Sequence, residues 1–156
     1  MKSFKLNFLY SVSFQGEYSV KTQKDLLIFK NENWGGEITR IENVLKWDDS
    51  MLSEKEHIKQ LKEHLDLEKE ILLSDELISL IENTFDKNGI WEWPKDYNKA
   101  SGFGEVLDGD LWQLNVKINE KKVKSFGACC YPKSYKKLMK MFSDIFDMDF
   151  NKILEN

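Results

Sequence analysis

The carboxylates best suited to chemistry lie at Asp108 and Asp110, on either side of Gly109, with Glu105 close by. Clustered carboxylates are the ligands that hard cations such as Ca²⁺ prefer, and two carboxylates at a suitable separation can hydrolyse a glycosidic bond. The later ligands of an EF-hand loop are missing, however, and Asp-Gly is common in turns that need a positive φ angle. The pattern therefore favours a turn, with a cation site and a catalytic acid as the alternatives.

The cysteines and histidines form no evident catalytic set. Cys129 and Cys130 precede a predicted helix N-terminus, where a thiol can be activated, but a nucleophile also needs a base within reach. His57 and His64 are seven residues apart, whereas two helical ligands of one metal are three or four apart. We predict buried cysteines, solvated histidines, no metal, no cofactor and no catalytic residue. The third functional alternative is a hydrolase that uses Asp108, Asp110 or Cys130.

Tryptophan is frequent for a chain of 156 residues, with five copies. Trp34-Gly35-Gly36 is too short for a phosphate-binding loop and favours a tight turn beside a packed ring. Trp91 and Trp93 alternate in a stretch that we predict to be extended, which would place both on one face. Aromatic side chains dominate both cores and binding hot spots. The candidate residues for binding a ligand or partner are Trp34, Trp91, Trp93, Asp108 and Asp110.

Two strands and a helix are expected to position the residues that follow Asp110. In Trp112–Ile118 apolar and polar residues alternate, which predicts a half-buried strand. Residues 122–126 resume the extended pattern after a polar turn, so the two runs predict an antiparallel hairpin. From Tyr135 onward the apolar residues follow the helical period, which predicts a helix across the Trp112 face of the sheet. The lysines of this hairpin are interpreted as charges that protect a sheet edge from strand addition: Lys117, Lys121, Lys122 and Lys124.

The preceding chain is predicted to hold a four-stranded antiparallel meander and two helices. The predicted strands cover residues 5–12, 18–22, 26–29 and 37–45. A capping box at Ser53 and Glu56 predicts a helix that runs to about Asp66, with a continuation to Leu73 left open. A second helix follows Ser74 or Asp75 and is expected to stop at Asn88-Gly89. Residues 90–94 are predicted to be extended and residues 95–103 to be a loop.

One set of motifs resembles a small bacterial family of uncharacterised proteins. The family pattern is D-G-x-x-W followed by S-x-G-x-N-x-Y-P, and the matching residues are Asp108-Gly109, Trp112, Ser125, Gly127 and Tyr131-Pro132. The resemblance covers roughly residues 85–146, with a weaker similarity in the N-terminal strands and Trp34-Gly35-Gly36. Cys129 replaces the Asn of the pattern, so any chemistry of that Asn is not expected here. Residues 49–73 look like an addition to the family's length, and the resemblance implies a fold but no activity.

Composition and charge restrict the classes of function. A hydrophobic content of 41% with 13% aromatic residues argues against disorder. No apolar run approaches the ~20 residues that span a bilayer, and the N-terminus lacks the apolar region of a signal peptide, so we predict a cytoplasmic protein without a membrane partner. The net charge is −4 and Arg40 is the single arginine, which argues against nucleic-acid binding. Richness in Lys, Asn and Ile fits a low-GC bacterium or its phage.

Together these patterns predict one domain over residues 1–156, of the α+β class, with an antiparallel sheet of about six strands and two or three helices mainly on one face. N-terminal strands are assigned to residues 1–47, a helical segment to 50–88, and the hairpin with the C-terminal helix to 90–156. The leading function is a non-enzymatic protein-binding module, such as an inhibitor or immunity-type protein. The alternative is a small-ligand binder, for a nucleotide-like molecule or a metabolite, with an aromatic-lined pocket. The sequence identifies neither the protein partner nor the oligomeric state.

Overall fold

The sheet is built from six strands that are all paired antiparallel. The computed structural model describes residues 2–12, 16–32, 68–102, 109–148 and 150. The strands are β1 (Phe4–Val12), β2 (Gly16–Gln23), β3 (Leu26–Glu32), β4 (Glu68–Leu72), β5 (Asp110–Ile118) and β6 (Lys121–Ala128). Across the sheet their order is β4-β3-β2-β1-β5-β6. The helices are α1 (Asp75–Asn88), α2 (Tyr97–Ser101) and α3 (Tyr135–Phe146), with a 3₁₀ turn at Ile90–Glu92.

One face of the sheet carries the core. Alternate residues of each strand point to this face, and Phe8, Phe29 and Trp112 are among its largest fully buried side chains. Helix α3 lies on it, with ring centroids 5.3 Å apart for Phe8 and Phe142 and 5.9 Å apart for Phe29 and Phe146. Burying one such side chain contributes about 1.5–3 kcal/mol. The predicted α+β class, a six-stranded sheet with helices packed on one face, is confirmed.

Helix α1 begins and ends where its sequence predicts. The N–H of Leu77 donates to Ser74 Oγ over 3.1 Å, which satisfies one free donor of the first turn. Gly89 has a left-handed conformation, with φ of 65°, and its N–H donates to the carbonyl of Phe85. The buried residues recur at the helical period, and all three join the core: Ile78, Ile81 and Phe85.

Ion pairs connect α1 to the end of the sheet. Lys2 Nζ lies 2.9 Å from Glu82 Oε1, and Lys121 Nζ lies 3.1 Å from Asp86 Oδ1 and 3.6 Å from Glu82 Oε2. The hydrogen bond from Lys2, with the charge of Lys121, lowers the pKa of the Glu82 carboxyl. These contacts place the Lys121 side chain on the helix side of the sheet.

Five sequence predictions for the middle of the chain need correction or lie outside the described residues. The continuation of a helix to Leu73 is wrong, because Glu68–Leu72 pair with the open edge of β3 as strand β4. Residues 90–94 begin with a 3₁₀ turn, and the predicted loop contains α2, whose first turn is capped by Asp96 Oδ1 accepting from Lys99 N–H. The strand predicted at 37–45 and the helix from Ser53 fall outside the described ranges.

Residues 94–98 cover the outer edge of β6. Ser125 Oγ donates to the Pro94 carbonyl over 2.6 Å, and the N–H of Phe126 donates to the Lys95 carbonyl over 3.0 Å. The side chain of Asn98 then bonds both backbone groups of Ala128, each over 2.7 Å. A covered edge strand offers few backbone groups to another chain, so this part of the edge is closed by one backbone bond and by the side chains of Ser125 and Asn98, in addition to the lysines that the sequence indicated.

Candidate functional site

Asp110 is the candidate site residue with the most polar contacts. It opens β5 beside the end of β1, and its Oδ2 accepts a hydrogen bond from Tyr10 Oη over 2.9 Å. Tyr131 Oη donates to the same oxygen over 3.3 Å. Asp110 is half-buried, Tyr10 is buried and the ring of Tyr131 is exposed. Two phenols therefore hold this carboxylate at one end of the sheet.

Tyr135 lies directly beneath this group. Its ring centroid is 4.8 Å from that of Tyr131 and 5.7 Å from that of Trp112. The side chain is 6% exposed, and among the described residues its hydroxyl has no hydrogen-bond partner. A buried hydroxyl without a partner is costly, and such groups in native proteins usually bond a water or a ligand. We call Tyr10, Asp110, Tyr131 and Tyr135 the tyrosine–aspartate cluster.

The electrostatics of the tyrosine–aspartate cluster keep its phenols neutral. Burial, with the nearby Tyr131 and Asp110, raises the pKa of Tyr10 far above the ordinary value near 10. Burial and the charge of Asp110 raise the pKa of Tyr131 in the same direction, and burial raises that of Tyr135. All three are thus protonated at neutral pH. Tyr10 and Tyr131 already donate their protons to Asp110, so among these phenols Tyr135 can donate to a bound group, and none of the three acts as a base there.

The Asp-Gly turn and the two cysteines adjoin the cluster. Gly109 has a φ of 112°, and a Cβ at this position would collide with Cys129 Sγ, so the turn requires glycine. The N–H of Cys129 donates to the Asp110 carbonyl over 2.8 Å. Cys130 is half-buried, but the predicted burial of Cys129 is wrong, because this residue follows the end of β6 in a positive-φ conformation and is exposed. The described residues include no histidine, so they supply no imidazole base to either thiol.

The two described tryptophan candidates occupy different environments. Trp93 is 9% exposed and joins the core, where its ring centroid is 5.6 Å from that of Trp112. Trp91 is half-buried against Phe85 of α1, and its Nε1 donates to Asp86 over 2.8 Å. Trp93 is linked to Asp110 through ring contacts with Tyr135 and then Tyr131, and Trp91 is not. The other candidates, Trp34, Asp108 and Glu105, lie outside the described residues, as do both histidines.

The sheet's other face carries a surface that sequence reasoning did not find. Antiparallel pairing places Lys5 opposite Lys117, and Lys117 opposite Lys122, in one cross-strand row over β1, β5 and β6. The adjacent row runs from Lys124 through Asn115 and Asn7 to Lys21, and it continues through Ile28 to Glu70. We call the face defined by these five exposed lysines and Phe126 the lysine face.

The lysine face differs electrostatically from the helix side of the sheet. On the helix side, Lys2 and Lys121 both form ion pairs with carboxylates of α1. None of the five lysines of the lysine face forms an ion pair with another described residue. Like charges directly opposite each other destabilise a sheet, so the row from Lys5 to Lys122 has a stability cost that no described contact offsets.

Apolar residues border the lysines on the same face. Phe126, 41% exposed, lies opposite Gln113, and Leu111, 45% exposed, lies one row further along. Ile28 of β3 points to the same face of the sheet but is only 7% exposed. The open region of this face is therefore limited to β2, β1, β5 and β6. The sequence signal available was the alternation of polar residues along β5, but the register that adds Lys5 and Lys21 is a property of the folded sheet.

The described part of the chain has surface grooves but no metal cluster. It contains no group of three or more His, Cys, Asp or Glu side chains arranged to hold a metal ion. Two open grooves along α3, of about 730 and 270 Å³, are lined mainly by polar and charged side chains such as Lys137 and Asp144, and neither includes Trp91, Trp93 or Asp110. Within the same residues no helix has both the length and the apolar character needed to cross a bilayer.

Comparison with known proteins adds no homologue to these observations. No family model, no curated protein and no solved structure matches this chain. The resemblance to an uncharacterised bacterial family therefore stays a prediction from the motifs between Asp108 and Pro132, and the function is argued from the two sites themselves.

Proposed function

We propose that this protein is a non-enzymatic protein-binding module that contacts its partner through the open face of the sheet. The observation that carries the proposal is the lysine face, where exposed lysines and an exposed Phe126 share a surface that no described helix covers. Exposed aromatic groups ringed by polar side chains are typical of binding surfaces. On this proposal the module acts as an inhibitor or immunity-type protein in the cytoplasm of a low-GC bacterium or during phage infection.

The tyrosine–aspartate cluster supports a binding role over a catalytic one. Its phenols are neutral donors, and Asp110 already accepts two hydrogen bonds, so the described atoms form no nucleophile paired with a base. The hydrolase alternative would need Asp108 or Cys130 to work with a group outside this cluster. An active Cys130→Ser variant in any hydrolase assay would remove the thiol version of that alternative.

Site-specific photo-crosslinking tests the proposal. A photoreactive amino acid at Gln113 lies at the centre of the open face, beside Phe126. The control is the same group at Asn83, an exposed position of α1. In a bacterial lysate we expect a discrete protein adduct from position 113, suppressed by excess unlabelled protein, and none from position 83. Absence of a competed adduct at position 113 would count against protein binding through this face.

A small-ligand binder is the second candidate, favoured by the buried Tyr135 hydroxyl. This group lacks a described partner and lies beside the neutral donor Tyr131 and the carboxylate Asp110. A ligand with both a hydrogen-bond donor and an acceptor, such as an amide or a nucleobase edge, would satisfy the carboxylate and the hydroxyl together.

Thermal shift assays with a panel of nucleosides and metabolites test this second function. A true ligand should raise the melting temperature in proportion to its concentration over Kd. The shift should be lost in Tyr135→Phe, which keeps the ring but removes the hydroxyl, and kept in the matched Tyr97→Phe control. Equal shifts in both variants would exclude the cluster as the binding site.

A further inference from the structure

We propose that the partner surface recognised by the lysine face is an acidic protein surface, an inference that rests on the proposed protein-binding function. Five exposed lysines lie on four adjacent strands, so their positions span three interstrand spacings, or about 14 Å. All five point to the same face of the sheet, and the row of Lys5, Lys117 and Lys122 contains no acidic residue. This unbroken row of positive charge is what identifies the occupant's chemistry.

The pairing pattern shows why the charge belongs to an interface. Lys5, Lys117 and Lys122 face one another in a row, where sheets normally place opposite charges or neutral pairs. Carboxylates from a partner would neutralise this row as Glu82 and Asp86 neutralise Lys2 and Lys121 on the helix side. Complementary charge of this kind sets the orientation and association rate of a complex.

Phe126 gives the surface an apolar contact beside the charges. It lies opposite Gln113 and one row from Leu111, so the partner would place an apolar side chain here and its carboxylates over the lysine rows. Single-stranded nucleic acid would instead need several stacking aromatics and gains from arginine. Phe126 is the one aromatic side chain exposed on the described outer face, and the described residues hold no arginine. The observations thus favour an acidic protein.

Two labelled probes of equal charge test the chemistry directly: a poly-L-glutamate peptide and an oligothymidylate. Fluorescence anisotropy should show binding of poly-L-glutamate that weakens from about 50 to about 500 mM NaCl, as screening of exposed charges requires. Lys117→Glu with Lys124→Glu should weaken it by about tenfold or more, because like charges then face the probe. Lys136→Glu with Lys137→Glu, an equal charge change on α3, is the control and should have little effect.

The remaining outcomes separate this inference from the proposed function. Tighter binding of oligothymidylate than of poly-L-glutamate, or equal loss in both double variants, would overturn the acidic-protein assignment. The crosslinking from position 113 is then repeated in the Lys117→Glu, Lys124→Glu background. A persistent adduct would mean that the face binds protein without using its charge, so the inference fails and the proposed function stands. No competed adduct from the wild-type face would overturn both.

Discussion

The contact between Gly127 and Trp112 gives the sharpest test of the packing. A Cβ added at Gly127 would lie 2.6 Å from Trp112 Nε1 and 2.8 Å from the Cys130 carbonyl oxygen, two atoms that are hydrogen-bonded over 2.8 Å. Gly127→Ala must therefore displace the indole and weaken its bond. Overpacking costs about 1–3 kcal/mol and loss of a buried hydrogen bond about 1 kcal/mol. We expect a total loss of about 2–4 kcal/mol in the free energy of unfolding.

Urea unfolding followed by circular dichroism measures this loss, and the melting temperature should fall by roughly 4–16 °C for a chain of this size. Gln113→Ala, on the exposed face of β5, is the control and should change stability by no more than about 0.5 kcal/mol. A double-mutant cycle with Trp112→Phe isolates the contact, because phenylalanine lacks the indole nitrogen. The added methyl should then cost at least about 1 kcal/mol less. An equal cost in both backgrounds, or a Gly127→Ala cost below about 0.5 kcal/mol, would refute the packing argument.

Three other perturbations test single contacts of the fold. Lys2 lowers the pKa of Glu82, so the stabilisation is present above the ordinary pKa of about 4.3 and is lost as the pH falls through the lower folded value. In urea titrations Glu82→Gln should therefore reduce the dependence of the free energy of unfolding on pH below pH 5. An unchanged pH dependence would contradict the pairing. Asn98→Ala removes both bonds to Ala128 and should cost about 2–4 kcal/mol, against a near-neutral Asn115→Ala control. Four of the five tyrosines have raised pKa values: Tyr10, Tyr18, Tyr131 and Tyr135. Their contribution to stability is complete below pH ~10 and falls as the pH rises further, because only the unfolded chain ionises. Tyrosinate absorbance from these four residues should therefore appear together with the loss of ellipticity, and tyrosinate in the folded protein would contradict this prediction.

Local patterns were sufficient to predict the hairpin and the two long helices. The alternation from Trp112 to Ile118 places one face in the core, and the same register pairs Val116 with Val123. Ser74 and Gly89 predicted both ends of α1 because caps act within one turn of the chain. In these segments the local preference and the folded environment agree, so short-range reasoning was enough.

Both candidate sites depend on pairings that sequence patterns do not contain. Tyr10 and Asp110 are a hundred positions apart, and only the β1–β5 register brings the hydroxyl to the carboxylate. The same register creates the row of Lys5, Lys117 and Lys122. Strand β4 is a segment where local sequence reasoning was misleading. Its charged residues suggested a helix, whereas the open edge of β3 supplied the hydrogen bonds that fix a strand. Tertiary pairing overrides local propensity in such cases.

The position of β1 in the middle of the sheet has a consequence for how the chain is made. Its two neighbours are β2, which follows at once, and β5, whose pairing of Phe4 with Ile118 joins residues over a hundred positions apart. During synthesis the first hairpin must wait for most of the chain with one edge of β1 open and with Phe8 and Phe29 not yet covered by α3. Contacts of such long range slow folding and leave apolar surface exposed meanwhile. The nascent chain should therefore bind a ribosome-associated chaperone until β5 and α3 have emerged, and release should follow the completion of α3 rather than the end of β3.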